Sequence, residues 1–191
     1  MANRIFAPLA ALFLGLAPAL AAEDENVLVI EVAGQSEGIV EIELLPQVAP
    51  GHVARIKELA RAGAYDGVVF HRVIDGFMAQ TGDVQYGRKD GGEPGMAGTG
   101  GSDLPDLEAE FSDLPFQKGV VGMARSQNPD SANSQFFIMF QRAPHLNGQY
   151  TVVGRVIAGQ EVVDSIKRGS GQSGTVRDPD YMKDVRIKAD G

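Results

Sequence analysis

The sequence contains, at residues 70–83, the segment FHRVIDGFMAQTGD, which is the most informative stretch for the fold. Apolar, β-branched and aromatic residues predict one strand over 68–74 and a second over 77–81. Asp75-Gly76 separates the two strands and has the composition of a tight turn. Polar and charged residues interrupt these otherwise apolar strands, so the segment is a candidate for function as well as for structure.

The rest of the chain has the same β character. Apolar runs and alternating patterns predict eight strands in all, at residues 27–32, 38–44, 68–74, 77–81, 119–124, 134–140, 151–157 and 184–188. Helical patterns predict one helix that starts at Pro50 and ends before Gly63, and a second helix over 161–168. Residues 82–118 are rich in Gly, Pro and Asp and predict a long loop region. Eight mainly antiparallel strands favour a mainly β fold that closes into a barrel, because closure removes exposed edges.

Composition excludes several classes of function. The chain has 191 residues, which suits one domain, and its formal net charge is -8, which argues against nucleic acid as a ligand. Cysteine is absent, and the three histidines, His52, His71 and His145, form no H-x-x-x-H or H-x-H pair. We therefore expect no metal and no other cofactor.

The first 22 residues have the composition of an export signal. Arg4 precedes an apolar stretch from Ile5 to Leu20, and Ala19-Leu20-Ala21 has the small-x-small form of a cleavage site. The alternative is a retained membrane anchor, since the stretch approaches the length of a spanning helix. Two prolines inside it favour cleavage after Ala21 or Ala22. We expect a signal peptide at 1–21, a mature domain at 22–191, a periplasmic location and no stable membrane insertion.

Two further segments complete a recognisable pattern. Residues 133–138 read NSQFFI, residues 145–150 read HLNGQY, and residues 153–156 read VGRV. Together with residues 70–83, and in this order and spacing, they resemble the cyclophilins over nearly the whole mature chain, 27–188. The resemblance implies an eight-stranded barrel with two helices, a hydrophobic groove that seats proline, and peptidyl-prolyl cis-trans isomerase activity.

Such an activity needs neither a nucleophile nor a metal. Rotation of a peptide bond costs about 18–20 kcal/mol because the nitrogen lone pair is delocalised into the carbonyl. A donor directed at that nitrogen favours the twisted amide. The resemblance makes Arg72 the catalytic donor, and its guanidinium stays protonated at any relevant pH. Gln80, on the adjoining strand, would orient Arg72 or bind the substrate backbone.

The remaining site residues follow from the same resemblance. The proline pocket matches Phe77, Met78, Phe137 and Leu146, whereas Phe136 is expected in the core because neighbouring strand residues point to opposite faces. Residues expected to line the rest of the substrate path are His71, Ala124, Arg125, Gln135, His145 and Tyr150. The alternative for His71 is a structural role, in which its ring satisfies a backbone carbonyl. His145, Tyr150 and Arg125 replace the tryptophan, histidine and asparagine of many eukaryotic members. We expect activity to survive these changes and do not expect tight cyclosporin binding.

Alternative functions remain open from the sequence. The fold could serve as a binding module that holds proline-containing segments with little catalysis. Gly34-Gln35-Ser36-Glu37-Gly38 spells the G-x-S-x-G motif of serine hydrolases, but it lies between two strands and reads as a turn. The glycine-rich segment 91–101 lacks the features of a phosphate-binding loop. The expected partners are proline-containing unfolded or partly folded exported polypeptides, and the expected state is a monomer.

Overall fold

A computed structural model describes residues 24–191, and the predicted signal peptide with its cleavage site lies outside these residues. The described chain is mainly β, as predicted. Its strands are β1 (Val27–Ala33), β2 (Gly38–Leu44), β3 (Val68–Val69), β4 (Arg72–Ile74), β5 (Met78–Thr81), β6 (Val120–Met123), β7 (Phe136–Met139), β8 (Val152–Ala158) and β9 (Tyr181–Ile187). They form one sheet that curls into a half-barrel.

The sheet is antiparallel throughout, in the order β3-β9-β1-β2-β8-β6-β7-β5-β4. Residues 24–191 contain nine strands, one more than predicted, because one predicted strand is divided in two. The segment 68–74 divides at Phe70-His71, where its hydrogen-bond partners change. Val68 and Val69 pair with β9, whereas Arg72 begins the pairing with β5. The two outermost strands of the sheet are therefore consecutive in the chain.

Two helices lie wholly within the described residues, α1 (Pro50–Arg61) and α2 (Gln160–Ser165). Proline at the start of α1 suits a position whose N–H needs no helical partner. The Glu110 carboxylate accepts hydrogen bonds from the backbone N–H groups of Gly51 and His52 at 3.0 Å each, and so caps this helix. α2 is shorter than predicted because Ile166 already has extended backbone angles.

The last strand starts three residues earlier than predicted, at Tyr181. Asp180, immediately before it, is buried and holds this region together. Its carboxylate accepts hydrogen bonds from the backbone N–H groups of Gln35, Ser36 and Lys167. The turn between β1 and β2 is thereby fastened to the start of β9.

Buried apolar side chains form two separate clusters. The larger one fills the interior of the sheet and includes Val73, Ala79, Phe136 and Ile138. The smaller one includes Met78, Phe137, Met139 and Leu146. Neighbouring strand residues belong to different clusters, because side chains alternate between the two faces of a strand. The smaller cluster is called the outer cluster below.

The loop region predicted at 82–118 is confirmed, since no strand lies between Thr81 and Val120. Asp83 organises its first part and is fully buried. The two carboxylate oxygens accept hydrogen bonds from the backbone N–H groups of Gln85, Tyr86, Gly98 and Gly100. Within the described range, no helix is long and apolar enough to cross a membrane.

Candidate active site

Arg72 and Gln80 face each other across the β4–β5 pair. The Nη1 group of Arg72 donates a hydrogen bond to Oε1 of Gln80 at 3.1 Å. Its Nε group donates to the carbonyl oxygen of Ser173 at 3.0 Å. Among residues 24–191, no group accepts a hydrogen bond from Nη2 of Arg72. The guanidinium is thus held by two bonds and retains one free donor group.

The polar contacts continue from Gln80 to Gln135. The amide Nε2 of Gln80 donates to Oε1 of Gln135 at 2.9 Å, and Nε2 of Gln135 donates to the carbonyl oxygen of Gly100 at 2.8 Å. Each amide is therefore fixed at both ends, and the Oε1 atom that accepts from Arg72 belongs to a side chain with little freedom to rotate. This line of bonds sets the orientation of Arg72.

The four residues predicted to form the proline pocket lie together in the outer cluster. Met78, Phe137 and Leu146 are buried, whereas Phe77 is only partly buried and packs against them. Leu146 is brought there by a short 3-10 helix, Pro144–Leu146. Because Gln80 pairs with Phe137 in the sheet register, the apolar cluster adjoins the polar line.

Three predicted substrate-binding residues surround this cluster. The His145 ring lies 5.6 Å from the Phe77 ring, and the Tyr150 ring meets the edge of Phe137 at 5.7 Å. The guanidinium of Arg125 lies over the Tyr150 ring at 4.5 Å. The aromatic rim, made of Phe77, His145 and Tyr150, therefore comes from the turn before β5 and from the connection between β7 and β8.

A cavity lined mainly by polar residues lies next to the aromatic rim. It has a volume of about 270 Å³ and is lined by four predicted site residues, Gln80, Ala124, Arg125 and Gln135. The backbone N–H of Ala124 donates to the carbonyl oxygen of Gln135 at 2.9 Å. These residues form a continuous surface on which an extended polypeptide could lie.

His71 is the most buried polar side chain among the predicted site residues, and it takes no part in the hydrogen bonds that link Arg72, Gln80 and Gln135. The imidazole is 7% exposed, and neither ring nitrogen reaches hydrogen-bond geometry with a described group. Burial lowers the pKa of His71. The Asp83 carboxylate and the Val69 carbonyl, which lies near the ring without hydrogen-bond geometry, oppose this shift only in part. The ring is therefore neutral at neutral pH.

The predictions from the residues missed Gly122 on β6. A Cβ atom there would lie 2.6 Å from Cζ of Phe137 and 2.7 Å from Cε1 of Phe116. The two rings stack at 5.7 Å in the space that glycine leaves. A glycine inside an apolar strand indicates close approach of another group, and that signal was available in the sequence.

The structure also shows where Phe136 and Ser36 lie. Phe136 is a core residue as predicted, and it packs edge-on against Tyr65 at 5.7 Å. Ser36 lies in the turn between β1 and β2, as expected for a turn and not for a nucleophile elbow. Its hydroxyl donates to the carbonyl oxygen of Ser165 at 2.7 Å.

Comparison with known proteins identifies the class that this fold and site define. The family "Cyclophilin type peptidyl-prolyl cis-trans isomerase/CLD" matches residues 27–189. A Brucella suis protein named "Probable peptidyl-prolyl cis-trans isomerase" is 58% identical over 174 residues, 90% of this chain and 87% of its own length. "Peptidyl-prolyl cis-trans isomerase B" of Bacillus subtilis is 39% identical over 150 residues, 78% of this chain and 90% of its own.

Solved structures agree with the sequence relatives. Cyclophilin AquaCyp293 from Hirschia baltica matches with a TM-score of 0.71 and 27% identity, over 86% of this chain and 74% of that one. A Cryptosporidium parvum cyclophilin crystallised in the presence of the dipeptide Ala-Pro matches with a TM-score of 0.70 and 28% identity, over 84% and 98%. The chain belongs to the cyclophilin-type peptidyl-prolyl cis-trans isomerases, which are isomerase enzymes.

Proposed function

We propose that this enzyme rotates X-Pro bonds by donating a hydrogen bond from Arg72 to the imide nitrogen. The observation that carries the proposal is the free Nη2 group of a guanidinium that Gln80 and Ser173 hold beside an apolar cluster. In the twisted amide the lone pair returns to nitrogen and becomes a hydrogen-bond acceptor. A donor placed there stabilises the transition state more than the planar ground state.

The outer cluster would seat the proline ring. Its aromatic and thioether side chains, from Phe77, Met78 and Phe137, suit an apolar ring and exclude water. A charge-assisted hydrogen bond strengthens when water is removed from its surroundings. The Cryptosporidium structure determined in the presence of the dipeptide Ala-Pro supports a proline-containing ligand.

The residues that line the polar cavity, together with the aromatic rim, would bind the substrate backbone. Gln80 has two roles in this scheme, since it orients Arg72 and fixes the amide of Gln135. Binding energy from Ala124, Arg125, Gln135, His145, Leu146 and Tyr150 would then hold the peptide on both sides of the rotating bond.

The test is an isomerisation assay of a proline tetrapeptide by NMR exchange or a protease-coupled reaction. We expect the purified protein to accelerate exchange and Arg72→Ala to lose most of the acceleration. Arg142→Ala is the matched control, because Arg142 is exposed and lies outside the candidate site. Equal turnover by all three proteins would remove the mechanism, and peptide binding without acceleration would favour a binding module.

We also propose a closed barrel, a monomeric state and a periplasmic location. The sheet would close as an eight-stranded barrel if β3 and β4 are counted as one strand bent at Phe70-His71. This is supported by two backbone hydrogen bonds on either side of the bend. The N–H of Phe70 donates to the carbonyl oxygen of Asp180, and the N–H of Val73 donates to the carbonyl oxygen of Gly174.

The enzyme would act as a monomer on exported polypeptides in the periplasm after signal cleavage. N-terminal sequencing of the protein from fractionated cells tests the location.

A further inference from the structure

A groove of about 970 Å³ is lined in part by Arg72, and none of the outer-cluster side chains lines it. It lies between the loop at residues 86–99 and the loop at 167–181, and Arg72 and Gln80 line its inner end. We call it the basic groove, because its lining contains five permanent cations: Arg72, Arg88, Lys89, Lys167 and Arg177. The glycine-rich segment 91–101 forms part of one wall of this groove.

The charge of the groove is opposite to that of the whole chain. Acidic residues outnumber basic ones by 25 to 17, yet Asp178 is the one carboxylate that lines the groove. Eight lysines and arginines elsewhere in residues 24–191 form ion pairs. In the same range, no ion pair involves any of the five groove cations.

The groove cations interact with neutral groups instead. Arg88 donates to the carbonyl oxygens of three residues, Ala64, Asp66 and Val84. Lys167 donates to the carbonyl oxygen of Asp178 at 3.0 Å, and the Lys89 ammonium lies 3.9 Å from the centre of the Tyr181 ring. These contacts position the cations and leave their charge uncompensated.

His71 is a second, independent sign of a ligand. It lines the groove, is 7% exposed, and has two ring nitrogens without a described hydrogen-bond partner. A buried polar group without a partner is costly, so such groups commonly mark a place that a ligand or water fills. Gly98 keeps the space open, since a Cβ atom there would lie 3.0 Å from Nε2 of His71.

We propose that the basic groove binds acidic side chains of the substrate polypeptide, on one flank of the proline that occupies the outer cluster. The proposal rests on the proposed function and adds a substrate preference to it. Arg72 and Gln80 belong to both the candidate active site and the groove, so a bound chain can continue from one into the other. The preferred substrates are proline-containing segments rich in Asp and Glu.

The experiment compares proline peptides of equal length that carry two Glu residues, two Gln residues or two Lys residues, on either flank of the proline. We expect kcat/KM for the Glu peptide to exceed that for the Gln peptide by about threefold to tenfold at about 0.01 M salt on one flank. The preference should shrink to within about twofold at 1 M salt, where charges are screened beyond about 3 Å. The Lys peptide should be the poorest substrate.

The variant that tests the groove is Lys89→Gln/Arg177→Gln, which removes two exposed cations. The matched control is Arg155→Gln/Lys188→Gln, which removes two cations outside the groove and leaves the same net charge. We expect the first double variant to lose the Glu preference and to bind a fluorescent Glu peptide more weakly by anisotropy. The control variant should keep both the Glu preference and the affinity for the fluorescent Glu peptide. All three proteins should isomerise the Gln peptide at the same rate.

The outcomes separate this inference from the proposed function. If no protein accelerates exchange in the Gln peptide, the proposed function fails. If the Gln peptide is isomerised but Glu gives no advantage on either flank, or the control loses the advantage equally, the groove inference is overturned. Competition by inorganic phosphate with no Glu preference would also overturn it, because the groove would then be a site for a free anion.

Discussion

The two surfaces that meet at Arg72 are built in different ways. The outer cluster comes mainly from strands, with Phe137 on β7 and Met78 on β5 held in register by backbone hydrogen bonds. The basic groove comes mainly from loops, and its cations reach it from chain segments about eighty residues apart. A rigid apolar surface suits chemistry that needs accurate positioning, whereas charged loops suit selection among substrates. The predictions below test this division.

The largest effect is expected from removing the central ring of the outer cluster. Phe137→Ala should lower the free energy of unfolding by about 3–5 kcal/mol, because it deletes buried carbons and leaves a cavity. It should also remove most of the isomerase activity in the folded fraction. Urea unfolding and NMR exchange measure the two effects. Phe111→Ala is the control, since Phe111 is 43% exposed and should change stability by less than about 0.5 kcal/mol.

On the groove side, the largest loss of stability is expected from Asp83→Asn. It should cost about 1.5–3 kcal/mol of stability, since a buried carboxylate that accepts four backbone N–H groups is replaced by an amide with its own donors. Asp90→Asn, at an exposed site in the same loop, should be neutral. Equal stability of the two variants would contradict the anchoring role of Asp83.

The pH dependence of stability provides a second test of Asp83. Burial raises its pKa, but the backbone hydrogen bonds outweigh burial and hold the pKa below its ordinary value. A depressed carboxyl pKa contributes stability above the unfolded-state pKa, near 3.9, and this contribution is lost as the pH falls through the folded-state pKa. Asp83→Asn should therefore lose less stability than the wild type between pH 5 and the acid transition, measured by thermal unfolding.

A smaller effect is expected from Gly122→Ala, which adds one methyl group between two stacked rings. Overpacking at this position should cost about 1–3 kcal/mol and shift Phe137 within the pocket, so kcat/KM should fall as well. Gly95→Ala is the control, because a Cβ atom there meets nothing within 4 Å. A Gly122→Ala variant with unchanged stability and activity would show that the pocket tolerates movement of its central ring.

Much of the fold and of the candidate site could be predicted from the sequence. Local patterns place most strands, and the motif segments place Arg72 beside Gln80 and Phe77 beside the outer cluster. The break at Phe70-His71 could not be predicted, because it depends on which strand each half pairs with. The early start of β9 was missed because a register shift between Met182 and Asp184 interrupts the alternation of side chains that marks residues 184–188.

The groove could not be predicted for a different reason. Its cations are dispersed through two loops without any periodic pattern, so their proximity depends on tertiary structure. The resemblance placed His71 on the substrate path, whereas the structure buries it at the groove that Arg72 and Gln80 also line. Its lack of hydrogen-bond partners is visible only when the surrounding loops are in place.

The most direct test of the central claim measures exchange within the bound complex. NMR gives both the cis–trans exchange rate of a saturated Ala-Pro peptide and its Kd, for the wild type and for Arg72→Ala. If Arg72 acts on the twisted amide, the bound exchange rate should fall by about 10²–10³-fold, with a much smaller change in Kd. An unchanged bound exchange rate with a raised Kd would contradict the claim, because Arg72 would then only bind the planar substrate.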